Sequence, residues 1–325
     1  MILQQFQHNS VLLQEVLSAL SPKPGGIYLD CTLGGGGHSE AILEQLQGEG
    51  LVIGLDQDPT ALQAAGERLK KYGSLFCPLQ ANFKNLDTVL KANHIALVDG
   101  VLFDLGVSSP QLDVKERGFT FRENAPLDMR MDPAASITAA MILATASEAE
   151  LRKIFYDYGE ERWSARIAQF IVEERQKTSI ETSDQLVEII KAAVPSAVRH
   201  DDGHETRRIF QALRIAVNDE LNALKIGLKK AIDVLKPQAL IAVITFHSLE
   251  DRIVKELFRQ LVNPCVCPPK LPICVCGRQP MLELVNTKPI VPSEEEINEN
   301  PRSHSAKLRI ARRLATPIID CKEDT

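Results

Sequence analysis

Three carboxylates, each closing an apolar run, stand where this chain could do chemistry. Asp30 ends Ile27-Tyr28-Leu29 and opens the stretch Asp30-Cys31-Thr32-Leu33-Gly34-Gly35-Gly36-Gly37-His38. Asp56 ends Leu51-Val52-Ile53-Gly54-Leu55, and Asp104 ends Asp99-Gly100-Val101-Leu102-Phe103. A strand that ends in an acid, turns through glycines without Cβ atoms and enters a helix N-terminus lets a ligand lie against backbone. Gly35, Gly36, Gly37 and His38 make the floor of such a site. About twenty residues further on, Asp56 is placed to offer its carboxylate to the two hydroxyls of a ribose.

The acid at the floor narrows the ligand. A pyrophosphate turn wants its third glycine where Ser39 stands, and the charge of Asp30 repels phosphate. S-adenosylmethionine has no phosphate and carries a cationic ammonium and sulfonium, so Asp30 favours it over a nicotinamide or flavin dinucleotide. The remaining alternative is a plain structural turn.

The elements that position these residues alternate. Helices are expected over Ser39–Leu46 and Pro59–Lys71, the latter started by proline, with a third strand over Ser74–Ala81. Phe83 follows that strand, placed either to cover an adenine face or to pack into the core with Leu86. Asp99–Gly106 then delivers Asp104 to the same rim. The next comparable strand is Ala239–Phe246, after an amphipathic helix over Asp219–Leu235, and the long interval between is helical. Ser147 with Glu150 and Thr182 with Gln185 fit capping boxes, and Glu160–Lys177 and Ser183–Ala193 carry helical apolar spacing. The expected fold class is α/β: a Rossmann-like class I methyltransferase sheet with an inserted all-helical domain. Residues 1–108 and 216–325 would form the cofactor domain and 109–215 the substrate-recognition insertion, with a large substrate in the cleft between them.

The segment leaving the fourth strand is Asp104-Leu105-Gly106-Val107-Ser108-Ser109-Pro110-Gln111-Leu112-Asp113. An exocyclic base amine has its lone pair delocalised into the ring, and acceptors for its hydrogens favour the pyramidal, nucleophilic nitrogen. Asp104, Ser108, Ser109 and carbonyls around Pro110 are the candidate acceptors in a short polar turn. Ser109-Pro110 matches half of the Ser-Pro-Pro-aromatic turn of cytosine-N4 methyltransferases, with Gln111 and Leu112 replacing the rest. A capped structural turn is the alternative.

Composition excludes several classes. The 325 residues are 44% hydrophobic with a net charge of −6, so a uniformly basic nucleic-acid binder is excluded and any such partner must meet local patches. Two patches offer themselves. Arg302 to Arg313 is a basic run that is otherwise a solvated face; Arg117, Arg122 and Arg130 with Phe119 and Phe121 suit phosphates and base stacking, unless the rings pack and Asp128 pairs with Arg130. No apolar run reaches the ~20 residues of a membrane span, no secretory signal is visible, and seven cysteines fit a reducing cytoplasm. No exposed heptad repeat points to an oligomer.

Cys265-Val266-Cys267 and Cys274-Val275-Cys276 are separated by six residues that include Pro268, Pro269 and Pro272. Knuckle spacing usually has two residues between paired cysteines, so the expectation is a proline-rich reduced loop without metal, with a tetrahedral zinc site on Cys265, Cys267, Cys274 and Cys276 as the alternative. His247 is a candidate substrate contact or a rim histidine beside Ser248, the expected N-cap with Asp251 three residues on.

Taken together, several stretches resemble the RsmH (MraW) family of bacterial cytosine-N4 methyltransferases of 16S, small-subunit ribosomal RNA. They are His8-Asn9-Ser10-Val11-Leu12-Leu13, Asp30 to His38, Asp104 to Asp113, Arg117-Gly118-Phe119-Thr120-Phe121, Pro126 to Asp132, Phe210-Gln211-Ala212-Leu213-Arg214-Ile215, and Phe246 to Arg252. The resemblance covers nearly the whole chain. It implies S-adenosyl-L-methionine as cofactor, with contacts from Gly35 to Gly37, Asp56, Phe83, Asp104 and Gln111, and small-subunit ribosomal RNA or the assembled small subunit as partner. A DNA amine methyltransferase or a cofactor-binding assembly factor are the competing functions. One departure stands out: His204-Glu205-Thr206-Arg207-Arg208-Ile209 replaces the family's His-Pro-Ala-Thr-Arg-Thr, which alters a helix start.

Overall fold

The computed structural model describes residues 10–198, 203–268, 273 and 275–315; the side chains of Ser109 and Pro110 lie outside that description. In chain order the first elements are α1 (Leu13–Leu20), β1 (Ile27–Asp30), α2 (Gly37–Gln45), β2 (Leu51–Asp56), α3 (Pro59–Leu69), β3 (Phe76–Gln80), α4 (Leu86–Ala92) and β4 (Val98–Asp104). Then come α5 (Ser109–Asp113), α6 (Ala139–Thr145), α7 (Glu148–Asp157), α8 (Ser164–Glu174), α9 (Ser183–Ala193), α10 (His204–Asn218) and α11 (Glu220–Asp233). The last are β5 (Leu235–Thr245), α12 (Ser248–Val262), β6 (Leu282–Leu284), α13 (Glu294–Glu299) and β7 (Lys307–Arg313).

Among the described residues seven strands form one sheet in the order β3-β2-β1-β4-β5-β7-β6, parallel from β3 to β5. Successive residues of a strand point to opposite faces, and here both faces are apolar. Leu29, Ile53, Val101, Phe103, Ile241 and Val243 face α4, α11 and α12, whereas Tyr28, Val52, Leu102, Ala242 and Ile244 face α1, α2 and α3. Strand order reverses between β1 and β4, so the carboxyl ends of β1, β2 and β4 flank the switch point where ligands of such sheets bind. Asp30, Asp56 and Asp104 are the last residues of those three strands.

Two details differ from expectation. Lys70–Leu75 forms a 3-10 turn with Gly73 at φ 55, and β3 starts only after it, at Phe76. From Lys307 onward the basic run is strand β7, antiparallel to both β5 and β6, while Arg302 lies exposed in a 3-10 turn before it. Leu308 and Ile310 point into one core and Ala311 into the other, so the charged residues between them are spaced by the pleat.

Contacts divide the chain into two compact units, one comprising the described residues through Gly106 and from Asn222 onward, the other Val107–Leu221. The second unit is helical around its own core of Phe155, Ile167, Ile171, Leu186, Ile209 and Leu213. Its capping boxes are formed: the Glu150 carboxylate accepts from the Ser147 amide at 2.7 Å, and Gln185 Oε1 from the Thr182 amide at 3.0 Å. Helix α10 begins at His204 after Gly203 in the left-handed region (φ 70), and Glu205 and Thr206 are buried. No helix among the described residues is long and apolar enough to cross a membrane.

Candidate active site

The glycine turn is shaped by its neighbours. Leaving β1, the Cys31 amide donates to Leu102 O and the Leu33 amide to Leu55 O, each at 2.9 Å, so the sheet guides the chain into the turn. Gly36 sits at φ 78, where a Cβ would meet Leu69 and Ala65 at 3.1 and 3.2 Å. Gly37 starts α2 against the Ser10 hydroxyl. Gly35 is different: a Cβ built there meets nothing within 4 Å, so its bare backbone borders open space. A side chain therefore has no room at Gly36 or Gly37, whereas one would fit at Gly35.

Asp56 anchors this cradle. Its Oδ2 accepts from the Gly34 amide and its Oδ1 from the Asp58 amide, both at 2.9 Å. Each oxygen keeps a second lone pair, enough for a pair of ribose hydroxyls. Burial pushes its pKa up from 3.8 to about 6. Asp30 is 1% exposed, accepts from the Ser39 hydroxyl at 2.8 Å and the Thr32 amide at 3.1 Å, and is pushed up by burial. It fastens the turn to α2.

The Asp104 amide donates to Thr32 Oγ1 at 2.6 Å, which fixes the end of β4 to the turn. Its carboxylate Oδ2 stands 3.5 Å from Nε2 of buried His38, too far for a good hydrogen bond. Asp104 Oδ1 and both ring nitrogens of His38 are sheltered from solvent and have no hydrogen-bond partner among the described residues. Leaving such an atom unpaired costs about 1–3 kcal/mol, so this corner of the rim is under-satisfied by the described residues, as His247, Glu161 and Trp163 are elsewhere. Phe83 resolves toward the core: its ring lies edge-on to Phe103 at 5.4 Å and under Gly227 of α11, and it remains half-buried.

Ser108, Ser109, Pro110 and Gln111 belong to the helical unit. The expected polar turn is a helix start: Ser109 and Pro110 open α5, as proline favours, and the Ser108 carbonyl accepts from Leu112 at 3.3 Å. Buried Gln111 turns its Oε1 back onto the Ser108 amide at 3.0 Å and so closes this turn.

The two basic patches are corrected. Arg130 chelates Asp128 at 2.7 and 2.8 Å and donates to the carbonyls of Pro133 and Ala135, and Arg117 donates to the carbonyls of Arg130 and Met131. Phe119 is 7% exposed, and Phe121 packs edge-on against Phe210. These groups hold a loop; of the patch, Arg122 stays exposed. In β7, Arg309 grips Asp251 and Arg312 pairs with Glu283, while Arg313 is buried. The α12 cap also moves by one residue: His247 is the N-cap, and Glu250 accepts from the amides of Phe246 and His247 at 2.8 and 3.3 Å. Asp251, expected in that role, is turned to Arg309 instead. Cys274, Pro269, Pro272, His8 and Asn9 lie outside the described residues.

Thr32 and Ser39 carry structural duties in the site that sequence reasoning does not assign. Their one signal is a hydroxyl at either end of the glycine run.

Three acids at the ends of neighbouring strands, one beneath a glycine turn and all on one switch point, are the frame of a Rossmann-like methyltransferase. The family model described as the MraW methylase family matches residues 5–314, and the chain belongs to that family. It is 53% identical over 311 residues to a ribosomal RNA small subunit methyltransferase H of Heliobacterium mobile, covering 95% of this chain and 100% of that one. The protein of that name from Heliobacterium modesticaldum is 52% identical over 310 residues (95% and 99% covered), and that from Symbiobacterium thermophilum 52% over 309 residues (95% and 97%).

Proposed function

We propose that this enzyme transfers the methyl group of S-adenosyl-L-methionine to the N4 exocyclic amine of a cytidine in 16S ribosomal RNA, in the cytoplasm where that RNA is assembled. The cofactor fits the residues present: Gly35 leaves its backbone open, Asp56 has lone pairs for the ribose, and Asp30 supplies a negative field at the turn. When bound, it supplies an electrophilic methyl group on a sulfonium. The chain must then make a poor nucleophile attack. The Asp104 carboxylate at the end of β4, under-satisfied and with a quarter of its side chain exposed, is the observation that carries this reading. Accepting an amine hydrogen there favours the pyramidal nitrogen and gives the surplus proton a first resting place after transfer. A base must leave its stack to reach an atom at the sheet edge.

The test is methyl transfer from radiolabelled cofactor to small subunits from cells lacking this protein, followed by nucleoside analysis. Wild-type protein is expected to label N4-methylcytidine, and Asp104→Ala to lower the rate by about 100-fold or more at saturating cofactor. Label that persists in the variant removes Asp104 from the chemistry. Absence of label in both subunits and naked ribosomal RNA removes the ribosomal substrate and turns the search to DNA.

A further inference from the structure

The loop between α12 and β6 does not pack like the rest of its unit. No described residue from Asn263 to Pro280 belongs to a core cluster, and Val266, Ile273 and Val275 are 62%, 74% and 77% exposed. Apolar burial therefore does not hold this segment in place. Yet the sulfurs of Cys265, Cys267 and Cys276 all lie within 4.8 Å of one another, and none of these residues is in a disulfide. Cysteine is ordinarily among the most buried residues, whereas Cys265 is exposed and the other two are half-buried.

We propose that Cys265, Cys267 and Cys276 bind a thiophilic divalent metal, zinc in the cell, as a structural clip for this loop. The spacing of the sulfurs fits. A Zn–S bond of about 2.3 Å in tetrahedral geometry puts sulfurs about 3.8 Å apart, and Cys265 Sγ and Cys276 Sγ stand at 3.9 Å. The backbone fits too. The Val275 amide donates to Cys267 Sγ at 3.4 Å, and Gly277 turns the chain at φ 66 directly after the last ligand. Each thiol gives up its proton to solvent on binding, so the site fills as thiolates form and empties in acid. The fourth cysteine of the motif, Cys274, lies outside the described residues and is no part of the assignment. The expected consequence is order in a segment that lacks a core of its own.

The test uses full-length protein purified under reducing conditions, without chelator, from zinc-supplemented cells. Elemental analysis is expected to find about one zinc per chain, falling below about a tenth in Cys265→Ser, Cys267→Ser and Cys276→Ser but unchanged in Cys77→Ser on β3. Because the three lie outside the core, circular dichroism should stay native while limited proteolysis between positions 263 and 281 accelerates about tenfold or more. Cobalt substitution should give the ligand-field bands of a tetrahedral thiolate site. Three results would overturn the assignment: no zinc as purified and no uptake on titration, unchanged zinc in the serine variants, or a Cys265–Cys276 disulfide in protein isolated anaerobically.

Discussion

Two carboxylates in the sheet unit, each facing a basic side chain, do opposite work. Asp251 on α12 receives two hydrogen bonds from Arg309 on β7, at 2.6 and 3.1 Å, with Lys307 at 3.8 Å. Burial alone would raise the Asp251 pKa, but the arginine outweighs it and holds the carboxyl below the usual range. Asp104 and His38 face each other at 3.5 Å and leave three polar atoms without partners. The first pair spends its polarity on the fold; the second leaves part of it unspent. The difference is geometric. A planar guanidinium fork matches a carboxylate in two places, whereas an imidazole at this distance matches it in none.

The sharpest way to break the comparison is Arg309→Met, which removes both hydrogen bonds to Asp251 and leaves Lys307 at 3.8 Å as its nearest cation, in a pair only 11–14% exposed. A loss of about 3 kcal/mol in urea unfolding is expected, with part of it recovered when Asp251→Asn is added and cofactor affinity unaltered. If stability does not move, this pair is no more structural than the rim.

At the rim the opposite pattern is expected. Gly35→Val should lower cofactor affinity by about tenfold or more, roughly 1.4 kcal/mol, with stability within about 1 kcal/mol of wild type, measured by calorimetric titration and thermal unfolding. An unchanged affinity would mean that the open space beside Gly35 holds no ligand.

The smallest effect is a pH dependence. With the folded-state pKa of Asp56 near 6, above its ordinary 3.8, the folded protein binds this proton more tightly than the unfolded chain. Its burial therefore costs stability above pH 6, and the cost fades as pH falls toward 3.8. Protonation also removes an acceptor from the ribose position, so affinity should drop roughly fourfold between pH 7.5 and 5.5. Asp56→Asn should bind more weakly but show no such slope.

The parallel half of the sheet and its rim were legible because their signals are local. Apolar runs ending in Asp30, Asp56 and Asp104, a glycine turn and well-placed helix caps are each written in a few consecutive residues. Thr182 with Gln185 and the helix Ser183–Ala193 appear as read. What misled was charge. Arg302 to Arg313 reads as a surface patch because its arginines meet Asp251 and Glu283, far away in sequence. Phe119, Arg117 and Arg130 read as an RNA platform for the same reason, since their partners are a helical core and backbone carbonyls brought near by the fold.

The sequence by itself determined the family, the α/β sheet, the helical insertion and which acids stand at the strand ends, because backbone periodicity and turn chemistry act over short distances. Only the tertiary structure decided which polar groups are spent and which remain unspent. It separated Gly35 from the glycines that serve packing and sent Asp251 to an arginine. It left Asp104 Oδ1 without a partner and gathered three sulfurs in one exposed loop. Hydrogen bonding depends on distance and direction in space, and residues far apart along the chain set both.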